Sequence, residues 1–152
     1  MSDISNDSEL RQAIDKLDAS HERAIAAMFV KSVLSLSDDG RVSRAVDVAA
    51  DLEATDDALN SAFKDAKSAA IDSHTRCGAD ADWTEQASYF VARAATAAVA
   101  PSGQVKSESR AWQAAMSSRM ARTCQTIEAG DDAEQQEREA QYRMLSDFLN
   151  NQ

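Results

Sequence analysis

Helix-breaking residues are sparse in this chain and stand far apart. The one proline, Pro101, and the four glycines, Gly40, Gly78, Gly103 and Gly130, fall in short stretches of small and polar residues. Between them, apolar residues recur every three or four positions, which is the period of an amphipathic α-helix, and no stretch alternates as a strand would. Alanine is abundant and costs least of all residues to place in a helix. The sequence therefore predicts an all-α fold: a single compact, bundle-like domain of about six helices over residues 1–152, with residues 1–6 flexible.

The apolar stripes set the predicted helix boundaries. The first helix begins with Asp7 or Ser8 as its N-cap and runs to Leu36, and a break near Ala19 would divide it, with Ser20 capping the second piece. The next helices are predicted at 41–54, 56–73, 83–98 and 105–129, and a last helix follows the pair Asp131 and Asp132.

Large side chains are few, because aromatic residues make up only 5% of the chain. A core of Ala, Val, Leu and Met lets helices approach closely, and each large side chain then matters more than usual. Trp83 opens one apolar stripe and Trp112 lies within another. We therefore expect both tryptophans to be mostly buried.

The chain carries a formal net charge of −10. This charge disfavours binding to nucleic acid or to an anionic membrane, because phosphate contacts require clustered lysine and arginine. A basic partner would be attracted, although an acidic surface also serves solubility alone. The polar, acidic N-terminus lacks the pattern of a signal peptide, and no stretch has the roughly twenty apolar residues of a membrane span. We therefore expect a cytoplasmic protein.

The usual catalytic motifs are missing from the sequence. His21 lies on the apolar stripe of the first helix, where a histidine is more often a core or rim residue than a base. His74 and Cys77 have a spacing that two metal ligands could use, with Asp80 and Asp82 nearby, but no second ligand pair of matching spacing exists. Glycine loops for phosphate, nucleophile elbows and paired Glu-x-x-His motifs are also lacking. The sequence therefore predicts no catalytic residues, no metal and no cofactor.

Acidic residues gather at the predicted turns and helix starts. Most of these pairs are explained locally, because aspartate caps helices and favours the positive end of the helix dipole. The richest stretch precedes and opens the last helix, and we interpret it, together with the loop acids, as a partner-binding surface. Its residues are Asp131, Asp132, Glu134, Glu137, Glu139, Asp80 and Asp82.

Several segments resemble a known family in their order along the chain. The segments are Ala27-Met28-Phe29 within the first helix, Val42-Ser43-Arg44-Ala45-Val46-Asp47-Val48, Asp80-Ala81-Asp82 leading into Trp83 and Ala87, and Glu139-Ala140-Gln141-Tyr142. Together they resemble the YjaG-like family of small bacterial all-helical proteins. This chain is shorter and does not reproduce the tyrosine- and proline-bearing segment of the central entry. The resemblance implies a helical fold and transfers no functional residue, because the family's function is itself unassigned.

These features favour a non-enzymatic protein-binding module of a bacterial cell. The most concrete form is an acidic immunity or antitoxin-like protein that neutralises a basic toxin, since complementary charge steers such encounters. One alternative is an enzyme with a carboxylate-based site in a groove between helices, with His21, His74, Asp80, Asp82 and Glu85 as the residues to test. Another is a structural homodimer formed through leftover apolar helix faces.

Overall fold

The computed structural model describes residues 3–76, 83–101, 109–129 and 132–151. Within these ranges the chain forms seven α-helices and one short 3-10 helix, and contains no strand. The α-helices are α1 (Asp7–Asp15), α2 (Ala19–Val33), α3 (Gly40–Ala50), α4 (Asp56–Arg76), α5 (Trp83–Ala98), α6 (Arg110–Ala129) and α7 (Ala133–Asn150), and the 3-10 helix (Leu34–Leu36) follows α2. The all-α prediction is confirmed.

The first predicted helix is divided near the expected position, but other residues cap its two pieces. Asn6, not Asp7 or Ser8, is the N-cap of α1, and its side chain accepts the Glu9 backbone N–H. Asp18, not Ser20, caps α2 by accepting the His21 backbone N–H at 2.9 Å. Both caps have extended backbone conformations, as an N-cap requires. The segment predicted to be flexible is hydrogen-bonded at Ile4, whose N–H donates to the Ser146 hydroxyl.

The prediction for α5 matches the structure at both ends, whereas α3 and α4 differ from it. Helix α3 ends at Ala50, four residues earlier than expected, and α4 continues to Arg76. Thr55 precedes α4 and its hydroxyl accepts the Ala58 N–H at 3.1 Å, as a capping side chain does. The expected start of α6 near Val105 lies outside the described residues.

Helices α5 and α6 pack extensively on one another, and α5 also packs on α4. The buried face of α5 consists almost wholly of alanine: Ala87, Val91, Ala92, Ala94, Ala95, Ala97 and Ala98. Helix α6 also has buried alanines: Ala111, Ala114, Ala115 and Ala121. Buried alanines on both helices let their backbones approach closely, because few side-chain atoms stand between the helices.

Larger side chains fill the core between α1, α2 and the alanine-rich helices, and the largest fully buried one is Phe29. Trp112 is only 9% exposed, which confirms its predicted burial, whereas Trp83 at the start of α5 is less completely covered. Met28 and Met120 follow the three-to-four period of the apolar residues in the sequence, yet both side chains are exposed. The row of apolar residues that each helix buries in this core is narrow, so methionines at its edge reach the solvent.

Buried arginines tie helices together through backbone and side-chain oxygens. Arg23 of α2 donates to the carbonyls of Ala49 and Asp51 at the end of α3, at 3.2 and 2.9 Å. Arg110 donates to the Ala100 carbonyl at 3.1 Å and lies near Glu22. These guanidinium groups satisfy helix-end carbonyls that have no partner within their own helix.

Candidate binding surfaces

The predicted acidic surface at the start of α7 is not a continuous exposed patch. Glu137 is only 3% exposed and accepts a hydrogen bond from Arg122 Nε at 3.0 Å, so its assignment to a docking surface is corrected. Arg122 also donates to the Ser32 carbonyl, which fixes the pair between α2, α6 and α7. Glu134 is paired with Arg138 at 2.9 Å. Asp132 and Glu139 remain exposed.

Of the other residues singled out in the sequence, only some lie in the described part of the chain. Asp80, Asp82, Cys77 and Asp131 lie outside the described residues. Glu85 lies in the first turn of α5, and His74 lies near the end of α4 with its ring 5.2 Å from that of Tyr89. The described residues hold no group of three or more His, Cys, Asp or Glu side chains placed to bind a metal.

His21 is a rim residue, in agreement with the structural interpretation of its stripe position. Its Nδ1 atom lies 2.8 Å from both carboxylate oxygens of Asp18, and its ring meets the edge of Phe148. The side chain is partly exposed. Hydrogen bonds from the His21 backbone N–H and ring lower the pKa of Asp18. The pair therefore acts locally, closing the first turn of α2.

A denser group of exposed acids surrounds the turn between α3 and α4, and we call it the acidic turn. It comprises Asp47, Asp51, Glu53, Asp56 and Asp57, all exposed. None of these carboxylates forms an ion pair within 4.0 Å with a described lysine, arginine or histidine. At its centre Leu52 is 54% exposed.

Sequence reasoning missed the acidic turn because Leu52 continues the apolar stripe of α3. With α3 predicted to extend to residue 54, Leu52 was placed inside the core. The true end of the helix at Ala50 moves this leucine onto the surface. The signal that was available is the run of four acids at positions 51, 53, 56 and 57.

The acidic turn and the start of α7 lie at opposite ends of α2. Arg23, near the start of α2, contacts the end of α3, while Ser32, near its end, contacts Arg122 beside α7. These two positions are about 14 Å apart along a helix that rises about 1.5 Å per residue. The exposed acids therefore form two separate regions.

A groove of about 630 Å³ runs between α4 and α6 over α5, and we call it the basic groove. Its floor follows α5 from Tyr89 to Ala97, about 12 Å at the rise of an α-helix. Phe63 and Ile71 lie on the α4 wall, and Met116 lies on the α6 wall. The size lies within the range of ligand pockets.

The charges that line the basic groove are opposite in sign to the chain's net charge. Lys67 and Arg93 line it, together with His74, and its described lining includes no aspartate or glutamate. Lys67 Nζ lies 5.9 Å from the centre of the Phe63 ring, and Arg93 Cζ lies 5.7 Å from that of Tyr89. The groove is thus cationic and aromatic within an acidic protein.

No helix in the described part of the chain is both long and apolar enough to cross a membrane. Comparison with known protein families, with curated proteins and with solved structures finds no match to this chain. The resemblance to the YjaG-like family therefore stays a prediction, and function has to be argued from the surfaces themselves.

Proposed function

We propose that this chain is a non-enzymatic protein-binding module that neutralises a basic protein partner, in the manner of an immunity or antitoxin-like protein. Exposed Leu52, set among five exposed carboxylates, carries the proposal. An apolar anchor surrounded by charge resembles the centre and rim of a protein interface. The acids would accelerate encounter with a basic surface, and the leucine would slow dissociation.

The placement of the arginines supports this proposal. Arg23, Arg110 and Arg119 are buried, and Arg41, Arg122 and Arg138 are paired with carboxylates. Five of these six arginines, all except Arg23, are paired with a carboxylate within the fold, whereas the acids of the acidic turn have no such partner among the described residues. A field of one sign over a surface raises the local concentration of an oppositely charged partner.

A second proposed region is the start of α7, where Asp132 and Glu139 are exposed. It is the weaker docking surface, because Glu137 is buried and Glu134 is paired with Arg138. The enzyme alternative draws no support from the basic groove, because its described lining offers no carboxylate for acid and base chemistry.

The test compares capture of proteins from the native cell by the parent chain and by two variants. One variant neutralises four of the five acids of the acidic turn (D51N, E53Q, D56N and D57N), and the matched control neutralises four exposed acids outside both proposed regions (D15N, D38N, D65N and D147N). We expect a basic protein to be retained by the parent and the control at about 0.01 M salt, less at about 0.15 M, and lost by the acidic-turn variant. Retention of no basic protein, or equal retention by all three, contradicts the proposal.

Leu52 is tested separately with the captured protein. Leu52→Ser should raise the dissociation rate by about tenfold and leave the association rate nearly unchanged, because the side chain acts only after contact. Light scattering of the parent chain alone addresses the homodimer alternative. A stable dimer that buries Leu52 would replace the proposed partner with a second copy.

A further inference from the structure

We propose that the basic groove binds a small anionic amphiphile, a molecule with one carboxylate or phosphate group on an apolar body. This site is distinct from the acidic turn and does not depend on the proposed protein-binding function. Charge complementarity selects the occupant, because Lys67 and Arg93 line the groove and no described acid does.

The two cations are available to a ligand. Lys67 and Arg93 are both exposed, and neither forms an ion pair within 4.0 Å with a described carboxylate. This sets them apart from arginines such as Arg41, which lies between Asp39 and Asp72. In a chain with 26 acids, two cations that line one groove without such a partner form a local site for an anion.

The charged end of each cation also lies over an aromatic ring. Lys67 lies over Phe63 one helical turn away, and Arg93 lies over Tyr89 one turn away. Such cation–π contacts restrict the side chains at the rim of the groove. A carboxylate or phosphate accepts charge-assisted hydrogen bonds from guanidinium and ammonium groups.

Apolar side chains that line the same groove can contact the apolar part of the ligand. Ile71 is 58% exposed on the α4 wall, and Met116 faces it from α6. The floor between them contains Ala97, whose small side chain leaves the space open. The flexible methionine side chain adapts to ligands of varied shape. We therefore expect the groove to accept several ligands with apolar bodies and not a single compound.

The test uses three defined probes with the same ten-carbon tail: decanoate, decyl phosphate and decyltrimethylammonium. Calorimetric titration of the full chain below the micellar concentration of each probe should show saturable binding of an anion and at least about tenfold weaker binding of the cation. Comparison of decanoate with decyl phosphate identifies the preferred head group. Equal binding of the cation and the anions would overturn the proposal, as would no saturable binding of either anion.

Matched variants locate the site. Lys67→Gln and Arg93→Gln should each weaken binding of the preferred anion by about fivefold to tenfold. Lys64→Gln on the same helix and Arg143→Gln on α7 should leave it unchanged, because neither residue lines the groove. Ser117→Phe, on the partly exposed α6 wall, should abolish binding by filling the groove. Equal effects of Lys64→Gln and Lys67→Gln, in variants whose unfolding transition matches the parent's, would place any binding elsewhere.

Discussion

Arg119 of α6 holds Asp7 of α1 across 112 positions of the chain, through two hydrogen bonds of 2.8 and 3.1 Å. Arg119 is 4% exposed, and its Nε also donates to the buried Gln141 side chain of α7 at 2.8 Å. Tyr142 donates its hydroxyl to the same Asp7 carboxylate. One arginine thus joins the first helix, the sixth and the last.

Arg119→Ala should lower the free energy of unfolding by about 2–3 kcal/mol, because it leaves the buried Gln141 carbonyl oxygen without its donor. The loss stays below that of a fully buried ion pair, since Asp7 is partly exposed and water can hydrate it. Urea denaturation measures the change. Arg143→Ala, at an exposed position of α7, is the control and should change stability by less than about 0.5 kcal/mol.

The Asp7 interaction should depend on pH. The Arg119 hydrogen bonds lower the pKa of Asp7 below its ordinary value of 3.8, against the opposing effect of burial. Stability from this carboxylate is therefore fully present above pH 3.8 and is lost as the pH falls through the lowered folded-state pKa. Urea denaturation of the parent and Asp7→Asn should show a constant difference at neutral and mildly acidic pH. This difference should shrink below pH 3.8; a difference that is unchanged there would show that the charge of Asp7 does not contribute.

Trp112 should be more costly to truncate than Trp83. Its ring is largely buried, and the guanidinium groups of Arg11 and Arg119 lie 4.6 and 5.9 Å from the ring centre. Trp112→Ala should cost about 3–5 kcal/mol in denaturant unfolding. Trp83→Ala provides the comparison and should cost less, because Trp83 is less completely covered. Equal losses would contradict the expectation that burial sets the order of the two tryptophans.

Two helix starts offer a matched test of capping. The Thr55 hydroxyl accepts the Ala58 N–H, whereas Asp132 occupies the N-cap of α7 without a side-chain capping bond. Thr55→Ala should therefore cost about 1 kcal/mol, and Asp132→Ala less than about 0.5 kcal/mol. Thermal and denaturant unfolding measure both. The sequence had predicted capping by the Asp131 and Asp132 pair, and a loss near 1 kcal/mol at Asp132 would restore that interpretation.

The presence of the helices could be predicted from local sequence patterns, whereas the residues at which they end could not always be predicted. The limits of α5 were predictable because a period of three to four runs unbroken from Trp83 to the residues before Pro101. The end of α3 was not, because Leu52 extends the stripe. That end is stabilised from outside the helix, where Arg23 of α2 binds the Ala49 and Asp51 carbonyls.

The candidate surfaces depend on contacts between distant residues, which the pattern of one sequence does not reveal. In the sequence, Glu137 lies in a charged stretch that predicts an exposed acid. Its burial depends on the hydrogen bond from Arg122, which is 15 positions away on another helix. The basic groove requires α4 and α6 to flank α5, an arrangement set by packing. The charge of Lys67 and Arg93 was visible in the sequence, but their common location was not.

The alanine face shared by α5 and α6 reverses the usual mutational sensitivity of a protein interior. In most protein cores the damaging substitutions reduce side-chain volume. The buried alanines of α5 and α6 have almost no side-chain volume that a substitution could remove. Enlargement becomes the principal hazard, since an isobutyl or phenyl group added at fully buried Ala94 or Ala115 would force the surrounding helices apart. Saturation mutagenesis of the buried alanines in α5 and α6, followed by selection for folded protein, should therefore retain glycine, serine and alanine. It should eliminate the bulky hydrophobic residues that conventional cores accept.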